Sequence, residues 1–482
     1  MGAPRLQTPP GARSARDQVA YRELAAQFAG SLTEPGDSGY DDSRRIWNGS
    51  IDRRPGLIAR CVGPSDVKAA LRYARHTGIE VAIRGGGHSF PGHSALDDGL
   101  VIDLGAMKRI RIDPARRTVR AQPGVLLGEL DQAAQPHGLA VPAGIVTHTG
   151  IAGLTLGGGL GWLMRKYGLT IDSLLSVKLL TATGEQVMAS RAENAELFWG
   201  IRGGGGNFGV VTEFTYRLQP VGPTVLAGPI FWPLDDSPRV TRFYRDWIAE
   251  APDELGTMLI HRKAPPLAAI PTELHGRPVV AVVCCYTGDL DEGERLIGPL
   301  RRFGSPLLDL CAAKPFVDHQ AMFDPSYPHG RWYYFRSCDL PPLTDDAVDA
   351  LVDSAGRIGS PHTSIAMFHL GGAVARVGDD DTAYSGRQSA HTVNIACSTE
   401  TADGFDAERE WLERTWSQLS PAGTNTYVNF LMDEGEDRIR AAYGAAKYGR
   451  LQALKRTYDP GNLFHRNQNI RPELGGRGHT VA

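Results

Sequence analysis

The chain has 482 residues, of which 42% are hydrophobic and 22% are charged, and its formal net charge at pH 7 is −3. The length predicts two to three domains, and the composition is ordinary for a soluble globular protein. The slightly negative charge argues against a nucleic-acid partner, because phosphate binding needs a basic surface. No apolar run reaches the roughly 18 residues that a membrane-spanning helix requires.

The six cysteines predict neither a metal site nor a disulfide framework. No pair has the Cys-x-x-Cys spacing of a structural zinc site. A chain of this length has no need of disulfides to hold a core together. The first 27 residues contain arginines but no apolar segment typical of a secretory signal. We therefore expect a cytoplasmic protein without a metal.

In chain order, residues 1 to about 18 are predicted to be a disordered tail, and a short helix is expected at 21–28. Strands are predicted from short apolar or alternating runs at 57–62, 81–83, 100–104, 110–112, 118–121, 174–181, 210–218, 279–286, 364–371 and 392–397. Helices are predicted from 3.6-residue spacing at 67–77 (with Ser65 as its N-cap), 126–137, 240–249, 291–303, 345–358 and 405–419.

The strand at 81–83 runs into the glycine-rich segment Arg84-Gly85-Gly86-Gly87-His88-Ser89, followed by Gly92-His93. Consecutive glycines allow positive φ and a close approach of the backbone to a ligand, and their N–H groups can form an anion-binding nest. The histidine directly after such a nest is placed to meet a bound phosphate or ring. Taken alone, the segment favours a glycine-rich turn that carries a surface histidine, because such turns are common.

Two more glycine clusters follow before residue 210. The segment 141–161 contains Gly144, Gly150, Gly153, Gly157, Gly158, Gly159 and Gly161, and the segment 202–209 contains five more glycines. The second of these matches the letters of a dinucleotide fingerprint, but a strand rather than a helix is predicted after it, so we reject that fingerprint. Three such clusters could line a long phosphate-bearing ligand with a flat ring, which makes FAD the leading candidate.

These motifs, in this order and with Asn467-Gln468-Asn469 near the C-terminus, resemble the vanillyl-alcohol-oxidase type flavoproteins, specifically their berberine-bridge-enzyme-like branch. The resemblance covers about residues 40–475. It implies an α+β fold in which a PCMH-type FAD-binding domain of two α/β subdomains is joined to an antiparallel substrate sheet covered by helices. The implied segments are a tail and helix at 1–40, the FAD domain at 41–220, the substrate domain at 221–424, a segment completing the FAD domain at 425–475, and a tail at 476–482.

The resemblance also implies which residues contact FAD. His88 would be joined through a ring nitrogen to the 8α carbon of the flavin. A second link, through cysteine, occurs in some relatives, but Val146 stands at that position and cannot form it. The other implied cofactor-binding residues are Arg84, Gly85, Gly86, Gly87, Ser89, Gly92, His93, Gly144, His148, Thr149, Gly150, Gly153, Gly157, Gly158, Gly159, Gly161, Trp162, Gly209, Val210, Val211, Asn467, Gln468 and Asn469.

Catalytic candidates come from the C-terminal half. Tyr427 and Asn429 match two positions of the family's Tyr-x-Asn-Tyr motif, but the last position, which holds the base in plant members, is Phe430. His369 and His261 are further polar candidates on the substrate side. For His369 the alternative is a core histidine, and for Tyr427 a structural hydroxyl.

Three candidates near the cofactor have structural alternatives, and two substrate-side positions are apolar. The alternative for His148 is a structural role in ordering the pyrophosphate-binding loop. For Trp162, as for Trp47, the alternative is packing against other side chains. By alignment with a bacterial relative, Ile260 and Ala366 line the substrate cleft. Both lack a polar group, which argues against transferring that relative's oxygenation chemistry to this chain.

The implied activity is that of an oxidase. Hydride would pass from a small-molecule substrate (an amine, an alcohol, or a phenolic or polyketide metabolite) to flavin, and dioxygen would reoxidise the flavin. The alternatives are a tailoring oxygenase of secondary metabolism, a dehydrogenase with another acceptor, and a flavin-binding protein without turnover. The sequence leaves the substrate open, and also the oligomeric state, with a homodimer among the options.

Overall fold

The computed structural model describes residues 15–472, which form four β-sheets and 15 α-helices. The strands are β1 (Ser31–Thr33), β2 (Leu57–Arg60), β3 (Val81–Arg84), β4 (Leu100–Asp103), β5 (Ile110–Asp113), β6 (Thr118–Ala121), β7 (Leu139–Ala140), β8 (Leu174–Leu180), β9 (Gln186–Ser190), β10 (Val210–Arg217), β11 (Gln219–Pro220), β12 (Thr224–Pro233), β13 (Leu255–Lys263), β14 (Pro278–Tyr286), β15 (Leu308–Asp309), β16 (Ala312–Pro315), β17 (Trp332–Leu340), β18 (Ser364–His369) and β19 (His391–Thr399).

The helices are α1 (Ala15–Gln27), α2 (Tyr40–Arg44), α3 (Pro64–Thr77), α4 (Leu127–Ala134), α5 (Ile151–Gly157), α6 (Met164–Tyr167), α7 (Ala195–Ile201), α8 (Ser237–Ile248), α9 (Leu290–Arg301), α10 (Phe316–Gln320), α11 (Asp345–Ala355), α12 (Ala373–Arg376), α13 (Phe405–Leu419), α14 (Glu436–Tyr443) and α15 (Ala445–Tyr458). Within residues 15–472, no helix combines the length and the apolar character needed to cross a bilayer.

The first sheet has the strand order β1-β2-β4-β3, with β2, β4 and β3 parallel and β1 antiparallel at the edge. Helix α3 is the crossover between β2 and β3, and α1 packs on α3. The apolar face of α3, which includes Val67 and Leu71, is buried with Leu24 in one core cluster. Strand β3 ends at Arg84, and the first glycine cluster begins directly after it.

The second sheet is antiparallel, in the order β5-β6-β10-β8-β9. Its core cluster joins α4, α5 and α7 to α14 and α15, through residues such as Leu130, Phe198, Ile439 and Leu451. The C-terminal helices thus return to the half of the molecule that carries the glycine clusters.

The third sheet is antiparallel throughout, in the order β15-β12-β14-β13-β18-β19-β17, with β16 also paired to β12. Alternate side chains point to opposite faces of a strand. One face, which includes Leu259 and Met367, packs under α8, α9, α11 and α13. The other face, which includes Ile260 and Phe368, packs in a separate cluster with residues of the second glycine-rich segment, such as Leu160. This arrangement is the predicted α+β class.

Several predicted ends differ from the structure. The first helix begins at Ala15 rather than residue 21, within the segment expected to be a tail. Helix α3 begins at Pro64 with Gly63 as its N-cap, so Ser65 is not the cap; proline at the first helical position needs no N–H partner. The other predicted tail residues, 1–14 and 476–482, lie outside the described residues.

Candidate functional site

A cleft lies between the glycine-rich segments and the third sheet. The cleft has a volume of about 340 Å³. The predicted residues along its wall are Gly85, Gly86, Gly87, His88, Ser89, His93, Gly144, Thr149, Gly150, Gly153, Gly209, Val210, Val211, Tyr427, Asn429, Asn467 and Gln468. Residues up to 383 positions apart in the chain, from Gly85 to Gln468, are thus brought to one surface.

The first and second glycine clusters meet backbone to backbone. A methyl group at Gly86 would lie 2.5 Å from the backbone nitrogen of Gly150, and a methyl group at Gly150 would lie 2.5 Å from that of Gly86. Real Cβ contacts are never this short, so neither position can hold a larger residue without moving the other segment. This contact sets the width of the cleft beside His88.

His88 is held on two sides. Its ring stacks on Trp47, with 4.2 Å between the ring centroids and 17° between the planes, and Trp47 in turn stacks on Tyr333 at 3.9 Å. Its Nε2 lies 3.0 Å from Nδ1 of His148. Nδ1 of His88 has no hydrogen bond to another residue of the described chain, so it is the nitrogen left open to a ligand.

Three imidazoles are grouped at this point, because His329 lies beside His148 with 4.8 Å between the ring centroids. Burial, and then the neighbouring His148 and His329, lower the pKa of His88 well below its usual value. Burial and His329 also lower the pKa of His148. A histidine with such a pKa is neutral at physiological pH and keeps a lone pair on one ring nitrogen.

Two contacts of this group were not predicted from the sequence: the presence of His329, and the contact between His148 and His88. His148 does not line the cleft, and it contacts the Nε2 atom of His88. The preceding residue, Thr147, is held by its backbone N–H, which donates to Asp324 at 2.8 Å. His329 lies in the Pro-His-Gly turn before β17, where Gly330 N–H donates to the carbonyl of Trp47 at 3.0 Å. No local motif marks this histidine, because the contact depends on the docking of two distant segments.

The cleft contains buried polar atoms that no described residue satisfies. They include His93 Nε2, Ser94 Oγ and Asn467 Oδ1, all on residues of the cleft wall. Buried polar atoms of this kind are normally hydrogen-bonded. At Gly206 a methyl group would meet nothing within 4 Å, so backbone is open to the cleft there. Open backbone and unpaired polar atoms along an elongated wall fit a cofactor with phosphate and hydroxyl groups, as FAD has.

Several predicted cofactor residues support the cleft wall without reaching it. Arg84 Nη2 donates to Asp103 Oδ2 at 3.0 Å, which ties β3 to β4. A methyl group at Gly161 would lie 1.7 Å from the carbonyl oxygen of Ala143. Trp162 is buried with its ring 4.6 Å from that of His319. The predicted residues that lie behind the wall in this way are Arg84, Gly92, His148, Gly157, Gly158, Gly159, Gly161, Trp162 and Asn469.

Tyr427 and Asn429 hold the second glycine cluster from the C-terminal side. The Tyr427 hydroxyl accepts hydrogen bonds from the backbone N–H of Gly159 and from Asn429 Nδ2, each at 2.7 Å. Asn429 Nδ2 also donates to the carbonyl of Leu154 at 3.0 Å. Burial raises the pKa of Tyr427 to about 12, so the phenol keeps its proton at neutral pH.

The structure places His369 outside the cleft wall. Strand β18 does face the cleft, but with Ala366 and Phe368; the two-residue period turns His369 to the opposite face. There it lies 3.0 Å from Arg165 Nη1, and burial together with Arg165 lowers its pKa to about 2. His261, on β13, also points away from the cleft and bonds to Ser237 Oγ at 2.7 Å.

The wall opposite the glycine clusters is apolar. Phe90 stacks on Phe335 at 3.8 Å and lies parallel to Phe430 at 5.9 Å. Phe430 in turn contacts Phe368, with 6.4 Å between the centroids. Of the described residues that line the cleft, none carries a carboxylate.

Comparison with known proteins identifies the family. Two sequence families match: "FAD binding domain" at residues 55–190 and "Berberine and berberine like" at 426–471. (R)-6-hydroxynicotine oxidase of Paenarthrobacter nicotinovorans is 32% identical over 92% of this chain and 97% of its own. The crystal structure of 6-hydroxy-D-nicotine oxidase from Arthrobacter nicotinovorans superposes with a TM-score of 0.84 at 30% identity, covering 92% of this chain and 98% of that one.

A more distant structure has the same fold. Glucooligosaccharide oxidase from Acremonium strictum, which carries 6-S-cysteinyl, 8α-N1-histidyl FAD, superposes with a TM-score of 0.83 at 22% identity, covering 94% of this chain and 99% of that one. The chain belongs to the berberine-bridge-enzyme-like FAD-linked oxidoreductases of the PCMH-type superfamily.

Proposed function

We propose that the chain is an oxidase with FAD attached to His88, which takes a hydride from a small organic substrate and passes the electrons to dioxygen, releasing peroxide. When bound, the flavin supplies the hydride acceptor. The observation that carries this proposal is the position of His88. Its neutral ring is fixed between Trp47 and His148 at the cleft, opposite the apolar face of the third sheet.

The geometry of His88 supports a single link through Nδ1. In the tautomer whose Nε2 donates to Nδ1 of His148, 3.0 Å away, the lone pair for bond formation is on Nδ1 of His88. The burial that lowers the pKa of His88 keeps the imidazole neutral and therefore nucleophilic. Val146 lines the same cleft and has no group that could form a second link.

Among the described residues of the cleft wall, the substrate finds neither a carboxylate nor a readily ionised phenol as a base. Phe430 cannot transfer a proton, Tyr427 has a pKa of about 12, and the described cleft wall has no carboxylate. We propose that the substrate loses its hydride as a neutral species, and that any proton leaves to solvent. Tyr427 and Asn429 then act by holding the Gly159 backbone in place.

The test of the oxidase proposal needs no knowledge of the substrate. The purified holoprotein is reduced with dithionite without oxygen and then mixed with air-saturated buffer. We expect rapid return of the oxidised flavin spectrum, with one peroxide released per flavin. Flavin that stays reduced in air would refute the oxidase and leave a dehydrogenase with another acceptor.

We also propose the domain division at 41–220 with 425–475, and at 221–424. It is supported by the separate sheets on either side of Pro220 and by the core that α14 and α15 share with the second sheet. A reducing cytoplasm is likewise proposed, supported by six cysteines that are all free and buried.

A further inference from the structure

One polar side chain interrupts the apolar face that the third sheet turns to the cleft. The sheet contributes five side chains to the cleft wall: Met258, Phe335, Ala366, Phe368 and Asn394. Asn394 lies in β19, directly opposite Ala366 of β18, so both point to the same face. It is only 6% exposed, and the surface it keeps opens into the cleft.

The Asn394 amide makes no hydrogen bond to any described residue, which sets it apart from other buried amides of this protein. Asn48, for example, donates to the carbonyls of Phe90 and Tyr333 at 2.8 and 3.0 Å and accepts from Tyr333 N–H at 3.1 Å. Neither amide atom of Asn394 is among the fully buried unpaired atoms of the described chain, so the amide remains open to the cleft. An unpaired amide on the cleft wall is therefore available to hydrogen-bond a ligand, and it does not stabilise the fold through a hydrogen bond of its own.

The surroundings limit what that ligand can be. On the same face of the sheet, Phe335 and Phe368 lie diagonally across from Asn394 on the two neighbouring strands. Their rings contact those of Phe90 and Phe430, so the cleft beside the amide is apolar and aromatic. None of the described cleft residues carries a carboxylate to balance an ammonium group. An oligosaccharide would need a partner for each buried hydroxyl, and the sheet offers one polar residue.

We propose that Asn394 is the specificity-determining residue of this cleft and that the substrate is an uncharged aromatic molecule with one hydrogen-bonding group that pairs with the Asn394 amide. A carboxamide both donates and accepts, so a phenolic hydroxyl, a carbonyl or a neutral amide satisfies it. This inference rests on the proposed function for the identity of the site, and it narrows the substrate class within it.

The test uses phenol and toluene, which are similar in size but differ in the hydroxyl group, as probes of the oxidised holoprotein. Binding is followed by the change in flavin absorption. We expect phenol to bind about tenfold more tightly than toluene, a ratio of the size that one desolvated hydrogen bond supplies. In Asn394→Leu the two probes should bind equally, because leucine keeps the volume and removes the amide.

Two further variants keep the test decisive. Tyr327→Phe removes the hydroxyl of another residue of the cleft wall and should leave the preference for phenol intact. Asn394→Ser, which is too short to reach the same ligand atom, replaces Asn394→Leu if the latter fails to load flavin. A phenol preference that survives in the Asn394 variants, or wild-type protein that binds both probes equally, overturns the proposal. A protein without flavin, or one whose reduced flavin is inert to air, instead contradicts the proposed function.

Discussion

Replacing Gly153 by alanine should separate cofactor binding from folding stability. Gly153 lies inside α5, and its exposed surface borders the cleft. A methyl group at this position would meet no protein atom within 4 Å. Gly449, inside α15, has equally open surroundings but is not part of the cleft wall. Alanine in a helix interior is favoured over glycine by about 0.5–1 kcal/mol.

We therefore expect Gly153→Ala and Gly449→Ala to raise the free energy of unfolding of the flavin-free protein by about the same 0.5–1 kcal/mol. Only the methyl group at Gly153 enters the volume assigned to FAD. Forcing a methyl group into a filled site costs about 1–3 kcal/mol, which corresponds to roughly a tenfold or greater loss of affinity.

The assay has two parts. Flavin-free protein from a riboflavin-starved host is unfolded in urea, and the flavin-to-protein ratio is measured by absorbance after loading with a limiting amount of FAD. If Gly153→Ala loads flavin as well as wild type and Gly449→Ala do, the second glycine segment does not contact the cofactor and the assignment of the cleft is wrong.

Three further predictions concern buried groups. Lys455 and Asp459 are fully buried and 2.7 Å apart, so Lys455→Met should lower the free energy of unfolding in urea by about 3–5 kcal/mol; a change below 1 kcal/mol would contradict the pairing. Burial raises the pKa of Asp131 to about 7, so the folded state binds its proton more tightly and stability falls, by up to about 1.4 kcal/mol per pH unit, between pH 4 and 7. That part of the slope should vanish in Asp131→Asn, and an unchanged slope would refute the assignment. Tyr427→Phe should cost about 1–3 kcal/mol, because the Gly159 N–H loses its acceptor; full stability in this variant would show that the hydroxyl does not hold the loop.

The glycine clusters and His88 could be predicted because their signals are local. A strand followed by three glycines and a histidine carries its own backbone requirement, and the structure explains it by the contact between Gly86 and Gly150. Between residues 221 and 424, the helices α8, α9, α11 and α13 were also predictable within a few residues, since their apolar periodicity is regular. Of the eight strands there, only β14, β18 and β19 were predicted, and the long strands β12, β13 and β17 were missed. Helix α5 was not predicted because three of its seven residues, Gly153, Thr155 and Gly157, have low helix propensity, which tertiary packing overrides.

The features of the site that could not be predicted from the sequence depend on contacts between segments that are far apart in the chain. The contact of His88 with His148 joins residues 60 apart, and His329 comes from the turn before β17. The sequence left His369 open as a substrate-side residue or a core histidine, because the two-residue period decides between Phe368 and His369 only once the packed face is known. Asn394 carried no motif, and it becomes conspicuous only when its neighbours in the sheet are seen to be apolar.

The most direct test of the central claim is flavin fluorescence in a denaturing gel. Wild type is compared with His88→Ala, and with His93→Ala as the matched control, since His93 lies in the same loop and also lines the cleft. We predict a fluorescent band for wild type and His93→Ala, and none for His88→Ala. Fluorescence that persists in His88→Ala, or wild-type protein that releases all its flavin on acid precipitation, would contradict the histidyl link and the orientation of the site built on it.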